Sequence, residues 1–331
     1  MLTPGQRDLD LQAEGVISSI TFRYDARHIL GGSGLGTVRK WRVADGREVE
    51  KVMSVGVEVG AVAASKDGQW IVGGTTTGSV IVWKGTTHAK AVEVKSAHAD
   101  WVLSIDISPD CKTFVTGSYD ETAVVWVLAT GQKLFGLKHP NHVGGVRFSP
   151  SGDRLATATW GDLSIRIFDS RSGELIVRIP NSVCSVYPNP FAWSDNGRRI
   201  FAAYEVGINQ FNVATTSLVS SWKVDPHIHV QNICLANSGQ FIACSIDRSV
   251  ALWDTYTHTT IGLPIRLTGR LKSVAISPDD TRIAFGQFDD KITLHNLRDI
   301  LPHSYFVIRN IPILVSEQSL NRQSRSAVVR T

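Results

Sequence analysis

Cysteine is scarce in this sequence: four residues in 331, none of them in a Cys-x-x-Cys pair. That spacing lets two thiolates reach one metal or each other, so zinc ribbons and thioredoxin-like redox sites are excluded. The chain also lacks an Asn-x-Ser/Thr acceptor. The two absences point to a reducing compartment, cytoplasmic or nuclear. Long apolar runs are missing as well. Pieces such as 311–315 fall far short of the ~20 residues of a spanning helix, and the first eight residues carry no apolar core of a secretory leader. Neither membrane insertion nor secretion is expected. Charge is sparse: 34 Lys and Arg against 30 Asp and Glu give +4, and charged residues make up 19%. No basic block stands out, which disfavours nucleic acid as a partner. With 43% hydrophobic residues the chain can build a large core, which a disordered chain cannot.

What is present is a repeat. Short β-type runs end in Thr-Val-Arg-Lys-Trp41, Ser-Val-Ile-Val-Trp83, Ala-Val-Val-Trp126, Ser-Ile-Arg-Ile-Phe168, Gly-Ile-Asn-Gln-Phe211, Ser-Val-Ala-Leu-Trp253 and Lys-Ile-Thr-Leu-His295, always 42 or 43 residues apart. A second anchor keeps the same period where a strand runs into a turn. It reads Phe22-Arg-Tyr-Asp, Ala64-Ser-Lys-Asp-Gly, Ile107-Ser-Pro-Asp, Phe148-Ser-Pro-Ser-Gly, Trp193-Ser-Asp-Asn-Gly, Leu235-Ala-Asn-Ser-Gly and Ile276-Ser-Pro-Asp-Asp. The units fall at about 14–55, 56–96, 97–138, 139–181, 182–225, 226–266 and 267–298. Inside a unit, residues alternate with period two, as in Val102-Leu-Ser-Ile-Asp-Ile107, then break at Pro, Asp or Gly. Each unit holds four such runs. Four short antiparallel strands cannot bury both faces alone, so neighbouring units must stack.

The period and both anchors resemble the WD40 family, whose members are seven-bladed β-propellers with a Gly-His…Trp-Asp signature. Trp253-Asp254 is the one literal Trp-Asp pair, and Phe168-Asp169 approximates it. The resemblance implies an all-β fold: a seven-bladed WD40-like β-propeller of four-stranded antiparallel blades, spanning residues 1–298. It also implies a blade-locking tetrad in unit three, made of His98, Thr116, Asp120 and Trp126. Unit four offers His139, Thr157, Asp162 and Phe168, the last without an indole donor. Unit six offers His227, Asp247 and Trp253, with Ala243 at the hydroxyl position. The remaining units have lost most members. The ring is expected to close through the N-terminal segment 5–12, which resembles fourth-strand runs such as 131–137. Residues 299–331 read as a C-terminal extension, partly disordered, in which 305–308 can add one strand and 316–331 form a polar tail.

Few residues suggest chemistry. Gly31-Gly32-Ser33-Gly34-Leu35-Gly36 lacks the Gly-Lys-Ser/Thr ending of a phosphate loop and has no helix after it, so a hairpin turn is expected. His227-x-His229 and His139-x-x-His142 are the close histidine pairs, and no third ligand falls beside either. Asp279-Asp280 and Asp289-Asp290 sit where turns need Asp or Gly. No catalytic set, metal site or cofactor is expected.

What remains is the face where loops meet around the pore. Family alignment implies two positions per unit there. The first set is Val16, Glu58, Trp101, His142, Tyr187, His229 and Arg270; the second is Gly34, Thr76, Tyr119, Trp160, Tyr204, Ile246 and Phe288. Six of these fourteen are aromatic, against 8% of the chain. Large aromatics on loops cost solubility and supply binding energy. The expectation is a non-catalytic scaffold or adaptor, a subunit of a larger complex, binding a protein or peptide on this face. The alternative is a hydrolase or lyase in which Glu58, His142 and His229 converge.

Overall fold

The computed structural model describes residues 9–49, 52–161, 163–180, 190–204, 206–224, 230 and 232–306. Within them the repeat becomes seven four-stranded antiparallel sheets. Blade 3 shows the plan: strands Val102–Ile107, Thr113–Ser118, Thr122–Val127 and Lys133–Lys138 pair in that order. The first strands of neighbouring blades pack on one another all the way round. Ile17–Phe22 of blade 1 meets Leu271–Ile276 of blade 7, so the first strands wall a central channel. The fold is an all-β, seven-bladed propeller.

The two sequence anchors have separate physical causes. In five blades the Ser of the turn anchor (Ser65, Ser108, Ser149, Ser194, Ser277) accepts the backbone N–H five residues on. The same hydroxyl donates to an acid or amide side chain within the turn. Each Ser is buried, so a doubly bonded hydroxyl closes the first hairpin without an orphaned polar group. The other anchor buries a large ring: Trp41, Trp83, Trp126, Phe168, Phe211 and Trp253 all lie in the core. Seven apolar clusters lie one between each pair of neighbouring blades, and the six rings fall in six of them, the cluster between blades 6 and 7 being the exception. Between blades 2 and 3, for instance, Val80 and Val82 meet Ile105, Phe114 and Trp126. Burial therefore lives at blade interfaces, and a blade alone has no core. Serines at the channel wall tie neighbouring blades, Ser19 accepting from the Val62 N–H at 3.0 Å and Ser273 from Ile20 at 3.1 Å.

Closure follows the expected route. Leu9–Gln12 pairs antiparallel with Lys291–Asn296, Leu9 opposite Leu294 and Gln12 opposite Lys291. Leu11 is buried against Ile292 and Trp41, and the Thr293 hydroxyl donates to Asp10 at 2.8 Å. Residues 5–8 of the expected strand lie outside the described residues. The extension differs from expectation where it is described. His303–Tyr305 is a 3-10 turn following Pro302, not a strand. The Tyr305 hydroxyl donates to Asp254 at 2.6 Å and its ring meets Phe241 edge-on, so blade 6 fixes this residue as a bracket. Residues 307–331, the polar tail included, lie outside the described residues.

Candidate interaction face

Blade 3 carries the complete tetrad. His98 Nδ1 meets Asp120 at 3.0 Å and Nε2 meets the Thr116 hydroxyl at 2.6 Å. The Trp126 indole N–H donates to that same hydroxyl at 2.9 Å. Asp120 accepts further from the Ala99 N–H at 2.9 Å and the Thr122 hydroxyl at 2.7 Å. Burial pushes the Asp120 carboxyl up, but hydrogen bonds from His98, Thr122 and Ala99 outweigh it and hold the group well below the usual carboxylate range. One end of the network bonds the loop before the blade and the other reaches the third strand, so the loops of this blade are held from below.

The other blades show what replaces it. In blade 4, His139 meets Thr157 at 2.8 Å and the Leu137 carbonyl at 3.1 Å, while Phe168 touches the imidazole edge-on; Asp162 lies outside the described residues. In blades 1 and 2 the hydroxyl position is Gly31 or Gly73, and a Cβ there would sit 2.9 or 2.8 Å from the Trp41 or Trp83 ring. The indole fills the vacated space, which is what the glycine-rich segment is for: Gly31 and Gly32 lie within strand His28–Ser33, and Gly36 turns the hairpin at φ +76°.

Blade 6 corrects the sequence assignment. Ile242 faces Trp253 as Phe114 faces Trp126, which puts Cys244, not Ala243, at the hydroxyl position. The turn between second and third strands is one residue shorter here, so counting back from Trp253 lands one place early. The buried Trp253 indole N–H has no hydrogen-bond partner among the described residues. Replacing Cys244 by Thr supplies one, and is expected to raise unfolding free energy by about 1 kcal/mol in urea melts. An unchanged or lower midpoint would show that the lone N–H costs nothing there.

On the loop face the structure brings four of the expected residues together. Tyr119 and His142 stack with ring centroids 3.7 Å apart, and Trp160 meets them edge-on at 5.4 and 5.7 Å. Trp101 leans on Tyr119 at 6.3 Å and is half exposed. Backbone bonds fix the pairs within each blade: the Tyr119 N–H donates to the Trp101 carbonyl and the Trp160 N–H to that of His142. The same bond joins Gly34 to Val16, Thr76 to Glu58 and Phe288 to Arg270, so in these five blades the two positions share one end of the propeller. His142 Nδ1 bonds the Tyr119 carbonyl and ties blade 4 to blade 3. Sequence reasoning missed Gly144. A Cβ there would lie 2.2 Å from Trp160 Nε1, so only glycine lets the indole lie across this strand. The signal was the double glycine Gly144-Gly145, where unit 2 has Gly60-Ala61 and units 1, 3 and 7 carry side chains at both positions.

The remaining positions do not join this cluster. Glu58 accepts from Ser18 at 2.8 Å and lies 3.8 Å from Lys272. Phe288 is half exposed beneath two cations, Lys272 at 5.1 Å and Arg270 at 6.0 Å, and Arg270 also pairs with Asp247 at 3.4 Å. Tyr204 accepts from Ser221 at 3.1 Å, which draws it onto the outer strand of its own blade. Tyr187 and His229 lie outside the described residues, as does His227. Asp279 and Asp280 act as turn residues. Asp279 accepts from Ser277 and Thr281, and Asp280 bonds two N–H groups of the neighbouring blade at Asn237 and Ser238. Among the described residues no cluster of three His, Cys, Asp or Glu is placed to hold a metal, and no helix is long and apolar enough to cross a membrane.

Comparison with known proteins agrees with this geometry. The family model described as "WD domain, G-beta repeat" matches residues 90–127, 131–169 and 219–254. Each match starts on, or two residues before, the outermost strand of one blade and ends on the third strand of the next. A guanine nucleotide-binding protein subunit beta of Solanum tuberosum is 33% identical over 138 residues, 38% of this chain and 36% of that protein. A U3 small nucleolar RNA-associated protein 15 homolog of Xenopus tropicalis is 24% identical over 198 residues, 58% of this chain and 37% of that one. Small ribosomal subunit protein RACK1y of Oryza sativa subsp. japonica is 29% identical over 142 residues, 41% of each chain. The matches thus span about two fifths of these relatives' own length. The chain thus carries WD40 repeats at the three matched segments, within a β-propeller of seven blades of one strand order.

Proposed function

We propose that this protein is a non-catalytic interaction scaffold that seats a peptide or partner domain on the loop face of blades 3 and 4. The observation that carries the reading is the packed group Trp101, Tyr119, His142 and Trp160 above the one complete tetrad. Three of the rings hold one another in place, so a partner meets them already ordered and little entropy is lost on binding. Trp101 is the exposed member and the natural anchor. Of the three residues of the alternative enzyme reading, Glu58 is held by Ser18 and Lys272 and His142 by the Tyr119 carbonyl, while His229 lies outside the described residues. One relative is named as a subunit of a guanine nucleotide-binding protein and another as a small ribosomal subunit protein, which supports a role inside a larger assembly.

The test is affinity capture with the parent protein, then titration of the captured partner against three variants. Trp101→Ala and Tyr119→Ala are each expected to weaken binding by about 2 kcal/mol with nearly unchanged melts. Trp222→Ala should do the reverse. Trp222 is buried on the outer strand of blade 5, stacked on His258 with centroids 4.3 Å apart and meeting Phe201 edge-on, with no ring contact to the Trp101 group. Parent-like binding by Trp101→Ala with a loss in Trp222→Ala would move the recognition surface to the blade edge.

A further inference from the structure

The histidine of the aromatic group has a fixed tautomer. His142 Nδ1 lies against the Tyr119 carbonyl, which can only accept, so Nδ1 carries the hydrogen. The neutral ring is left with its lone pair on Nε2. That atom meets no donor among the described residues, yet it is not sealed from solvent. The stack on Tyr119 and the edge of Trp160 hold the imidazole, so the lone pair keeps one direction. A positioned acceptor on a recognition face selects for donors, because a second acceptor set against it leaves both groups unpaired.

The charge around it has one sign. The loop-face segments 96–101, 119–122 and 139–142 contain Asp100, Asp120 and Glu121 and no Lys or Arg. Asp120 is used by the tetrad. Asp100 accepts the Trp101 N–H at 2.8 Å and Glu121 is exposed, and neither pairs with a cation among the described residues. Lys95 and Lys138, the nearest cations along the chain, stand at outermost strands: Lys95 follows Lys90–Val94 beside Glu93, and Lys138 ends Lys133–Lys138. This local acidity runs against the chain's net charge of +4.

We propose that this face recognises an arginine side chain of a partner protein, with His142 Nε2 as the acceptor that selects it. A guanidinium has donors only, in a planar fork that lies on ring faces, and half-exposed Trp101 offers such a face. Asp100 and Glu121 supply the opposing charge. Lysine fits less well, since its compact ammonium has no plane to stack. An acidic side chain sets acceptor against acceptor. The inference rests on the recognition surface proposed above and narrows its partner to a basic segment.

The probe is a short, fluorescently labelled peptide of glycine and serine carrying arginine, beside counterparts with lysine, citrulline or glutamate in its place. Titrated against the full-length protein, the arginine peptide is expected to bind best, roughly tenfold or more over citrulline and glutamate. His142→Phe keeps a ring on Tyr119 but removes the lone pair, and should weaken arginine binding about fivefold or more. In the parent protein with isotope-labelled histidine, the Nε2 resonance of His142, identified by its absence from that variant, should shift when the arginine peptide binds. Equal binding of the arginine and glutamate peptides overturns the proposal. So does arginine binding that His142→Phe leaves intact, or that leaves the Nε2 resonance unmoved. If Trp101→Ala weakens the captured partner while no peptide binds, the surface stands and the arginine assignment fails. If Trp101→Ala leaves the captured partner unaffected, both fail.

Discussion

Deleting residues 1–12 is expected to lower the melting temperature sharply and to drive the protein into aggregates. The strand Leu9–Gln12 is the outermost of blade 7, and its removal uncovers the edge of Lys291–Asn296 along its length. It also opens the cluster that Leu11 shares with Ile292 and Trp41, where loss of one buried leucine costs about 2–3 kcal/mol before the edge is counted. An exposed strand edge beside fresh apolar surface is a template for pairing with other chains. Size-exclusion chromatography with light scattering and a thermal melt check both halves of the expectation. A truncated protein with the parent's elution and melt would mean that another segment fills the gap in blade 7.

Asp120→Ala is expected to destabilise the fold by about 2–3 kcal/mol, because it removes the acceptor of His98 and leaves a buried imidazole with half its network. Asp289→Ala, at the matching turn of blade 7, should cost far less. Among the described residues its carboxylate has a single hydrogen bond, from Thr268 at 3.5 Å, on an exposed turn. Equal losses in denaturant melts would break the link between the tetrad and stability. The pH dependence has a definite sign. The native state holds the Asp120 carboxyl below its unfolded value of about 3.9. Its stabilisation is therefore fully present above that pH and is lost as the solution is acidified toward the lower native value. Asp120→Asn should accordingly flatten the acid limb of the stability profile below about pH 4.

Most of the fold was legible because its period depends on local chemistry. The buried Ser of the turn recurs in five blades and the buried ring of the third strand in six, and both are visible as letters. The tetrad of blade 3 was legible for the same reason, since each member is a fixed residue type at a fixed offset. The error in blade 6 shows the limit. Offsets count residues, whereas hydrogen bonds follow register, and a turn one residue shorter moved the hydroxyl position from Ala243 to Cys244. On the loop face, sequence gave positions but not directions. Nothing in the letters says that Tyr204 turns onto Ser221 while Tyr119 turns onto His142. That choice is made by contacts between blades, among them the missing side chain of Gly144.

The mismatch between sequence repeat and blade also sets an order of events during synthesis. Six blades can be finished from residues close together in the chain, but the seventh waits for contact between Leu9 and Leu294. The entropy of closing so large a loop grows only logarithmically, roughly 2 kcal/mol beyond closure within one repeat. The equilibrium cost is small, but among the described strand pairings this one joins the most distant residues, so it is expected to form last. The first strand made is thus the last to dock, and until then it is available to any open blade 7 nearby. At high concentration during refolding, two chains can trade these strands, each completing the other's ring, and the product is a strand-exchanged dimer with every native contact in place.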